Sequence, residues 1–461
     1  MSIRKSGILF KIDFKKPDGS PSDLPGFFFG PMNYQETLDY LYQSLPMFHR
    51  IGAAAIKPNL DNTLALCRHL GDPQHRFRSV HVAGTNGKGS TSHMLAAVLQ
   101  SAGYRTGLYT SPHLKSFTER IRINGDEITA DAVVDFVGKH RRFLEQLQPS
   151  FFEMTVGMAF DYFVREQVDI AVVEVGLGGR LDSTNVITPE LSLITNISFD
   201  HQALLGNTLP EIAGEKSGII KPEVPVVVSE RQAEVEEVFL QKAAQENAPL
   251  SFASDQFSVI SRGMREGKLL LEVRQHDAPY LSDLESQLTG GYQLKNISGV
   301  LAVVDALNKQ GYSIGEEAVR KGIGQVSTLT GLKGRWQTLS TDPLVICDTG
   351  HNEDGIRSVV EQIRSVSHRQ LYIVLGVVND KDLGKILPLL PPQAHYYFCQ
   401  PRIPRALPAL TLQAEAAKHG LKGELVPEVN QALARAKARA QADDLIFIGG
   451  STFVVAEMAD L

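Results

Sequence analysis

The sequence predicts an α/β protein built from two parallel-sheet domains of unequal size, and three observations carry that reading. The first is a glycine-dense turn, Gly84-Thr-Asn-Gly-Lys-Gly-Ser90, set between an apolar run with β character at residues 80–83 and a helical pattern through Met94, Leu95, Val98 and Leu99. The second is Asp169-Ile-Ala-Val-Val-Glu174, a β-branched run without polar alternation, as found in strands buried on both faces of a parallel sheet. The third is a strand–helix rhythm that restarts at Val345 after a loose stretch at 328–334.

The chain has 461 residues, 43% hydrophobic and 21% charged, a composition of ordinary globular type with room for two or three domains. Its net charge of −6 argues against a broad nucleic-acid surface. Cys67, Cys347 and Cys399 are widely spaced and form no C-x-x-C, which argues against a disulfide framework or thiolate zinc site and suits a reduced cytoplasm. No apolar run approaches the roughly 18 residues of a membrane span. Residues 1–31 carry lysines and Phe27-Phe28-Phe29 but no long apolar core, so they read as a leader or extension, poorly ordered, ahead of Met32. A monomer is expected, with no membrane or nucleic-acid partner.

In chain order, the apolar spacing predicts helices at 34–47 and 60–70, then the glycine loop and its helix, and a strand at 106–110 ending in Ser111. Helices follow at 130–147 and 152–165, then the strand closing on Glu174 and a glycine-rich loop through Asp182. The strand 191–195 leads to Asp200 and His201, and a helix at 209–217 carries Lys216. After a strand at 224–228 and a helix at 232–247, short alternating runs predict a small antiparallel lobe near 250–290. A helix at 293–310 contains Asn296. The domain boundaries are placed at 32–328 and 329–461. The second, smaller domain is Rossmann-like in its alternation of strands (345–347, 371–375, 395–398, 445–449) and helices (to 366, 383–390, 411–419, 430–440), but Asp348 and His351 stand where a dinucleotide fingerprint would lie.

The chemistry concentrates at predicted strand ends. Three glycines, the positive end of a helix and Lys88 suit a polyphosphate, which makes the first domain a P-loop-type parallel-sheet domain. It is a variant loop, because the common G-x-x-x-x-G-K-[ST] pattern needs Gly at Val82 and a hydroxyl at Gly89. Glu174 ends its strand where a magnesium-holding acid is expected, and Ser111 and His201 leave the same sheet edge. That trio predicts a Mg²⁺ site, with its imidazole also admitting Mn²⁺.

The motif set then becomes specific. Val82-Ala-Gly-Thr-Asn-Gly-Lys-Gly-Ser90, Thr110-Ser-Pro-His-Leu114, Glu119-Arg-Ile-Arg122, Glu174-Val-Gly-Leu-Gly-Gly-Arg-Leu-Asp182, Asp200-His201, Glu215-Lys-Ser-Gly-Ile219, Gly334-Arg335 and Asp348-Thr-Gly-His-Asn352 resemble, in order, the folylpolyglutamate synthase/dihydrofolate synthase family of the Mur ligase superfamily. Gly350 and Glu353 depart from the family's usual Ala and Pro. The resemblance spans residues 32–461.

It implies an ATPase-type first domain and a C-terminal glutamate-ligase domain, together an ATP-dependent amide ligase that adds L-glutamate to dihydropteroate or (tetrahydro)folate. It implies that Gly87, Lys88, Gly89, Ser90, Asn296, Arg335 and Asp348 bind ATP, that Ser111, Glu174 and His201 bind Mg²⁺, and that Lys216 is carboxylated to hold a second ion. Ser150, Phe151, Phe152, Glu153, Leu181, Asp182 and Ser183 would contact the pterin, while His351 and Ser451 would meet glutamate. Lys88, His351 and Lys216 are the catalytic candidates. The rivals are a peptidoglycan-precursor ligase of the same superfamily and an ATP-driven switch without ligase activity.

Overall fold

The computed structural model describes residues 32–47 and 59–461. The expected leader at 1–31 therefore lies outside the described residues. The first sheet contains β1 (Arg78–Ala83), β2 (Thr106–Tyr109), β3 (Ile121–Ile123), β4 (Asp126–Glu127), β5 (Ile170–Glu174), β6 (Leu191–Ile194), β7 (Val226–Val228) and β8 (Leu250–Phe252), in the order β4-β3-β2-β5-β1-β6-β7-β8. From β2 to β8 every pairing is parallel, and only β3 and β4 are antiparallel. The uninterrupted apolar run of β5 is buried along its whole length, with β1 and β2 on its two edges. This order brings the C-terminal ends of β2, β5, β1 and β6 side by side, where an open parallel sheet presents its ligand crevice.

The expected small lobe is a three-stranded antiparallel sheet of β9 (Phe257–Arg265), β10 (Lys268–Gln275) and β11 (Ala278–Ser286). The third sheet contains β12 (Gln337–Thr341), β13 (Leu344–Cys347), β14 (Leu371–Leu375), β15 (His395–Phe398), β16 (Lys422–Leu425) and β17 (Leu445–Gly449), ordered β12-β13-β17-β14-β15-β16 and parallel except at β12. Separate hydrophobic cores line its two faces, one around Ile373, Tyr396 and Leu412, the other around Val374, Ile448 and Val454.

Several elements differ from the sequence expectation for identifiable reasons. The stretch expected to loosen from Thr328 is helical over Val326–Thr330, because the Thr330 hydroxyl donates to Val326 O (2.6 Å) and meets His93 Nδ1 (2.8 Å). The helix expected from Gln232 begins at Glu236. The Gln232 amide instead exchanges two 2.8 Å hydrogen bonds with the Ile197 backbone. The helix expected over 383–390 splits into Leu383–Ile386 and a 3₁₀ turn at Leu387–Leu389, since Pro388 supplies no N–H to continue the ladder. Strands β3, β4, β8, β12 and β16 and a last helix at Thr452–Glu457 were not evident from periodicity; most are too short to show one. All three cysteines are free and buried, and among the described residues no helix is long and apolar enough to cross a membrane.

Candidate active site

The turn after β1 is shaped by close approach. Gly87 has φ of 85° and caps the helix Lys88–Ser101, and a Cβ there would sit 2.2 Å from Asn296 Oδ1. At Gly84 a Cβ would sit 1.8 Å from Thr195 Oγ1. Only glycine meets both demands, backbone conformation and space. No side chain caps this helix, so its first-turn N–H groups face a cleft of about 760 Å³ lined by Gly87, Lys88, Gly89 and Ser90. An anion placed there meets unpaired donors and the positive helix end.

Two lysines converge on the loop. Lys88 Nζ donates to Gly84 O and Thr85 O (both 3.1 Å), and Lys216 Nζ donates to Gly84 O at 2.8 Å. Lys216 is 3% exposed. Burial first, then the neighbouring Lys88 charge, pull its pKa down to about 7. Burial likewise lowers the Lys88 pKa, against the attraction of Glu174 and Asp200.

Glu174 leaves β5 with one oxygen accepting the Ser111 N–H (3.0 Å) and the other facing Gly89. Burial raises its pKa, while Lys88, the Ser111 hydrogen bond and Arg335 oppose the shift. His201 lies past β6 in the left-handed region (φ 50°), and burial pushes its pKa down to about 4, leaving a neutral imidazole. A carboxylate, a hydroxyl and a neutral imidazole at one sheet edge form a donor set that fits a hard divalent cation with one nitrogen ligand. Among the described residues no third His, Cys, Asp or Glu joins this set.

The second half of the chain reaches over the loop. Asp200 accepts Lys381 Nζ (2.6 Å), faces His351 Nε2 (3.3 Å) and accepts Asn352 Nδ2 (3.2 Å). Burial alone would raise its pKa, but His351, His201 and Lys381 together hold it far below the carboxylate range. Asn86, in the loop itself, accepts from Asn352 Nδ2 (2.9 Å) and donates to Asp354 Oδ2 (3.0 Å). Arg335 lies over Gly89 and donates to Thr349 Oγ1. Asp348 is occupied by protein donors: the Tyr292 hydroxyl (2.6 Å) and the N–H groups of Trp336 and Gly350 (2.7 Å each).

At the other end the wall is aromatic. Ser150 and Glu153 form a reciprocal cap on the helix Phe151–Arg165. Phe151 stacks on Tyr42 at 5.6 Å, and the Phe152 ring packs against Gly176, where a Cβ would lie 2.5 Å from Cζ. Asp182 accepts Leu177 N (2.8 Å), Thr184 N (3.0 Å) and the Thr184 hydroxyl (2.6 Å), which fixes the glycine-rich loop opposite. Burial raises the Asp182 pKa against those bonds. Ser451 caps the helix Thr452–Glu457 by accepting Phe453 N at 3.1 Å.

Every residue singled out from the sequence lines this one cleft. Sequence reasoning gave no site role to Asn86, Arg120, Asp200, Tyr292, Gln293 or Lys381, although all but Gln293 line it too. Gln293 links Asn296 (2.8 Å) to the Ser90 hydroxyl (3.2 Å) from behind. Strand-end position was the available signal for Asp200 and Lys381, which follow β6 and β14; Tyr292 had none.

A phosphate cradle on one sheet edge, closed by a second α/β unit bearing basic and imidazole groups, defines an ATP-dependent ligase of the Mur type. Accordingly, residues 82–304 match the Mur ligase middle domain and residues 334–452 the Mur ligase glutamate ligase domain. Within that superfamily the chain belongs to the folylpolyglutamate synthase/dihydrofolate synthase family. It is 34% identical to the folylpolyglutamate synthase of Lacticaseibacillus casei over 92% of this chain and 97% of that one. The chain spans half the length of a probable bifunctional folylpolyglutamate synthase/dihydropteroate synthase of Haloferax volcanii, at 32% identity over 92% of its own length. The structure of Escherichia coli FolC in complex with DHPP and ADP superposes with a TM-score of 0.80 at 28% identity, covering 92% of this chain and 96% of that one.

Proposed function

We propose that the protein joins L-glutamate to the carboxylate of dihydropteroate and of reduced folates, with ATP as the driving substrate. The observation that carries this is that one cleft is lined by a phosphate cradle, by the aromatic residues Phe151 and Phe152, and by His351 and Ser451 from the C-terminal part. The comparison with relatives that bear these activities supports the same reading.

Gly87, Lys88, Gly89 and Ser90 hold the ATP phosphates, with Asn296 and Arg335 completing the nucleotide site and Asp348 fixing the turn that carries Arg335. Phe151, Phe152, Leu181 and Ser183 face the pterin, and the caps made by Ser150, Glu153 and Asp182 hold that wall in place. The acceptor carboxylate attacks the γ-phosphorus, the β–γ bond breaks, and ADP leaves; Lys88, already at the loop, spreads the charge on the transferring group. The amine of glutamate, oriented by His351 and Ser451, then attacks the acyl carbon, and phosphate leaves from the tetrahedral intermediate. The contacts of Asn352, Asp354 and Lys381 across the cleft exclude water that would hydrolyse the acyl phosphate.

Ser111, Glu174 and His201 would hold Mg²⁺, which neutralises phosphate charge when bound. Lys216 is the candidate for carboxylation, because a buried amine with a pKa of about 7 offers the neutral nucleophile that CO₂ requires, and the carbamate would hold a second Mg²⁺. The test is ADP release with Mg²⁺, ATP and L-glutamate, comparing dihydropteroate with tetrahydrofolate and weighing the amide product by mass. Turnover of both is expected. Product formed only from a peptidoglycan nucleotide would reject the substrate assignment.

A further inference from the structure

A histidine sits inside the first sheet, behind the cleft. His81 of β1 stands opposite Val173 of β5 and Ser192 of β6, and it is fully buried. Its Nε2 lies 2.9 Å from the Thr184 hydroxyl, whereas Nδ1 is buried with no hydrogen-bond partner among the described residues. Burial, and after it the Lys221 charge, push the His81 pKa down to about 3, so the ring is neutral and carries one N–H.

Thr184 fixes where that proton is. Its hydroxyl has a single proton, donated to Asp182 Oδ1 at 2.6 Å, so toward His81 the oxygen can only accept. The imidazole N–H is therefore at Nε2, and the unpaired Nδ1 is a bare lone pair, a smaller loss in the interior than an unpaired N–H. The chain runs one way, from imidazole to hydroxyl to carboxylate. It is not what anchors the 3₁₀ turn Ser183–Val186, because Asn185 already does so: its Nδ2 donates to Arg180 O (3.1 Å) and Gly218 O (3.0 Å), and its carbonyl accepts Lys221 Nζ (2.9 Å). What His81 adds is the direction of the Thr184 hydroxyl. Asp182 lines the cleft and accepts Leu177 N, Thr184 N and that hydroxyl; the hydroxyl bond is the shortest of the three, and the hydroxyl alone can rotate away.

We propose that His81 is a positioning residue that, through the Thr184 hydroxyl, holds the Asp182 carboxylate and the glycine-rich loop in place for the pteridine without touching it. The inference rests on the pteroate reading above and deepens it. Neighbouring hydrogen bonds polarise one another, so an N–H donated to the hydroxyl strengthens the bond that the hydroxyl makes to the carboxylate. Losing either donor leaves a buried polar group unpaired next to the loop.

The experiment measures kcat, KM for dihydropteroate and KM for ATP in wild type, His81→Leu, His81→Gln, Thr184→Val, Thr184→Ser and the double variant His81→Leu with Thr184→Val. Thermal unfolding of each checks the fold. KM for dihydropteroate is expected to rise about 10-fold in His81→Leu and in Thr184→Val, with kcat and KM for ATP near wild type. His81→Gln and Thr184→Ser, which keep a donor at each step, should stay within about two-fold of wild type. The double variant should match the single ones, because each removes the same chain. A second readout needs no variant to be active: two-bond ¹H–¹⁵N correlation of histidine-labelled wild type should show the His81 ring, identified by its absence in His81→Gln, protonated at Nε2. A proton at Nδ1, an unchanged KM for dihydropteroate, effects that add in the double variant, or kcat and both KM values worsening together would each overturn the inference while wild-type turnover left the substrate reading standing. A wild-type enzyme that does not turn over dihydropteroate overturns that reading, and the inference with it.

Discussion

The two ends of the cleft hold their charges in opposite ways. At the phosphate end, ionic groups hold one another across the halves of the molecule: Asp200 from the end of β6 is shared by Lys381 and His351 from the C-terminal part. At the aromatic end, carboxylates are committed to nearby backbone: Glu153 to Ser150 N, and Asp182 to Leu177 N and Thr184 N. A pair across a cleft can exchange its partner for a ligand charge, whereas a cap can be released only by unwinding the element it holds. The reacting end is therefore able to open and close, and the recognition end is preorganised.

The largest test of that contrast is Lys88→Ala. Ligation is expected to fall by roughly 10³-fold, as for loss of a transition-state charge contact, while pteridine binding measured by fluorescence titration stays near wild type. Near-normal turnover would remove the loop from the chemistry. Lys381→Met comes next: with Asp200 left to His351, the C-terminal part sits less well over the loop and kcat should drop about 100-fold. Adding Asp200→Asn, which removes the orphaned charge, should recover part of that loss; a purely additive double mutant would deny the cross-cleft pair.

Lys216 gives a pH test. An unfolded lysine keeps its proton to about 10.4, while the buried one releases it near 7, so the unfolded state binds more protons between those values. Stability without ligands should therefore rise as pH climbs above 7. Urea midpoints at pH 6.5, 8 and 9 should show this slope, and Lys216→Met should flatten it; an identical slope in the variant would assign the effect elsewhere. The smallest effect is at the aromatic end. Ser150→Ala removes one cap at a cost of about 1 kcal/mol, visible in Tm and in KM for the pteridine, with KM for ATP unchanged. A larger change in KM for ATP would show that the two ends are not separately built.

The motif residues were legible because their neighbours in sequence explain them. A strand that closes on Glu174 and a glycine turn that opens a helix are local statements, and the parallel order β2-β5-β1-β6 turned them into one edge. The roles of Ser150, Glu153, Asp182 and Asp348 were harder to read, because the same carboxyl and hydroxyl oxygens that could meet a ligand are occupied by backbone or tyrosine donors. Elements of three or four residues, such as β3 and β16, have no period to detect.

By itself the sequence determined the α/β alternation, the phosphate loop and the strand ends that deliver Ser111, Glu174, His201 and His351. These follow from local periodicity and from the conformational freedom of glycine. Only the tertiary structure decided that Lys381 meets Asp200, that Gln293 joins Asn296 to the Ser90 hydroxyl, and that the buried Arg120 donates to His113. Those facts depend on which distant side chains share a low-dielectric space. Burial and Coulomb energy are set by that neighbourhood, and position along the chain does not encode it.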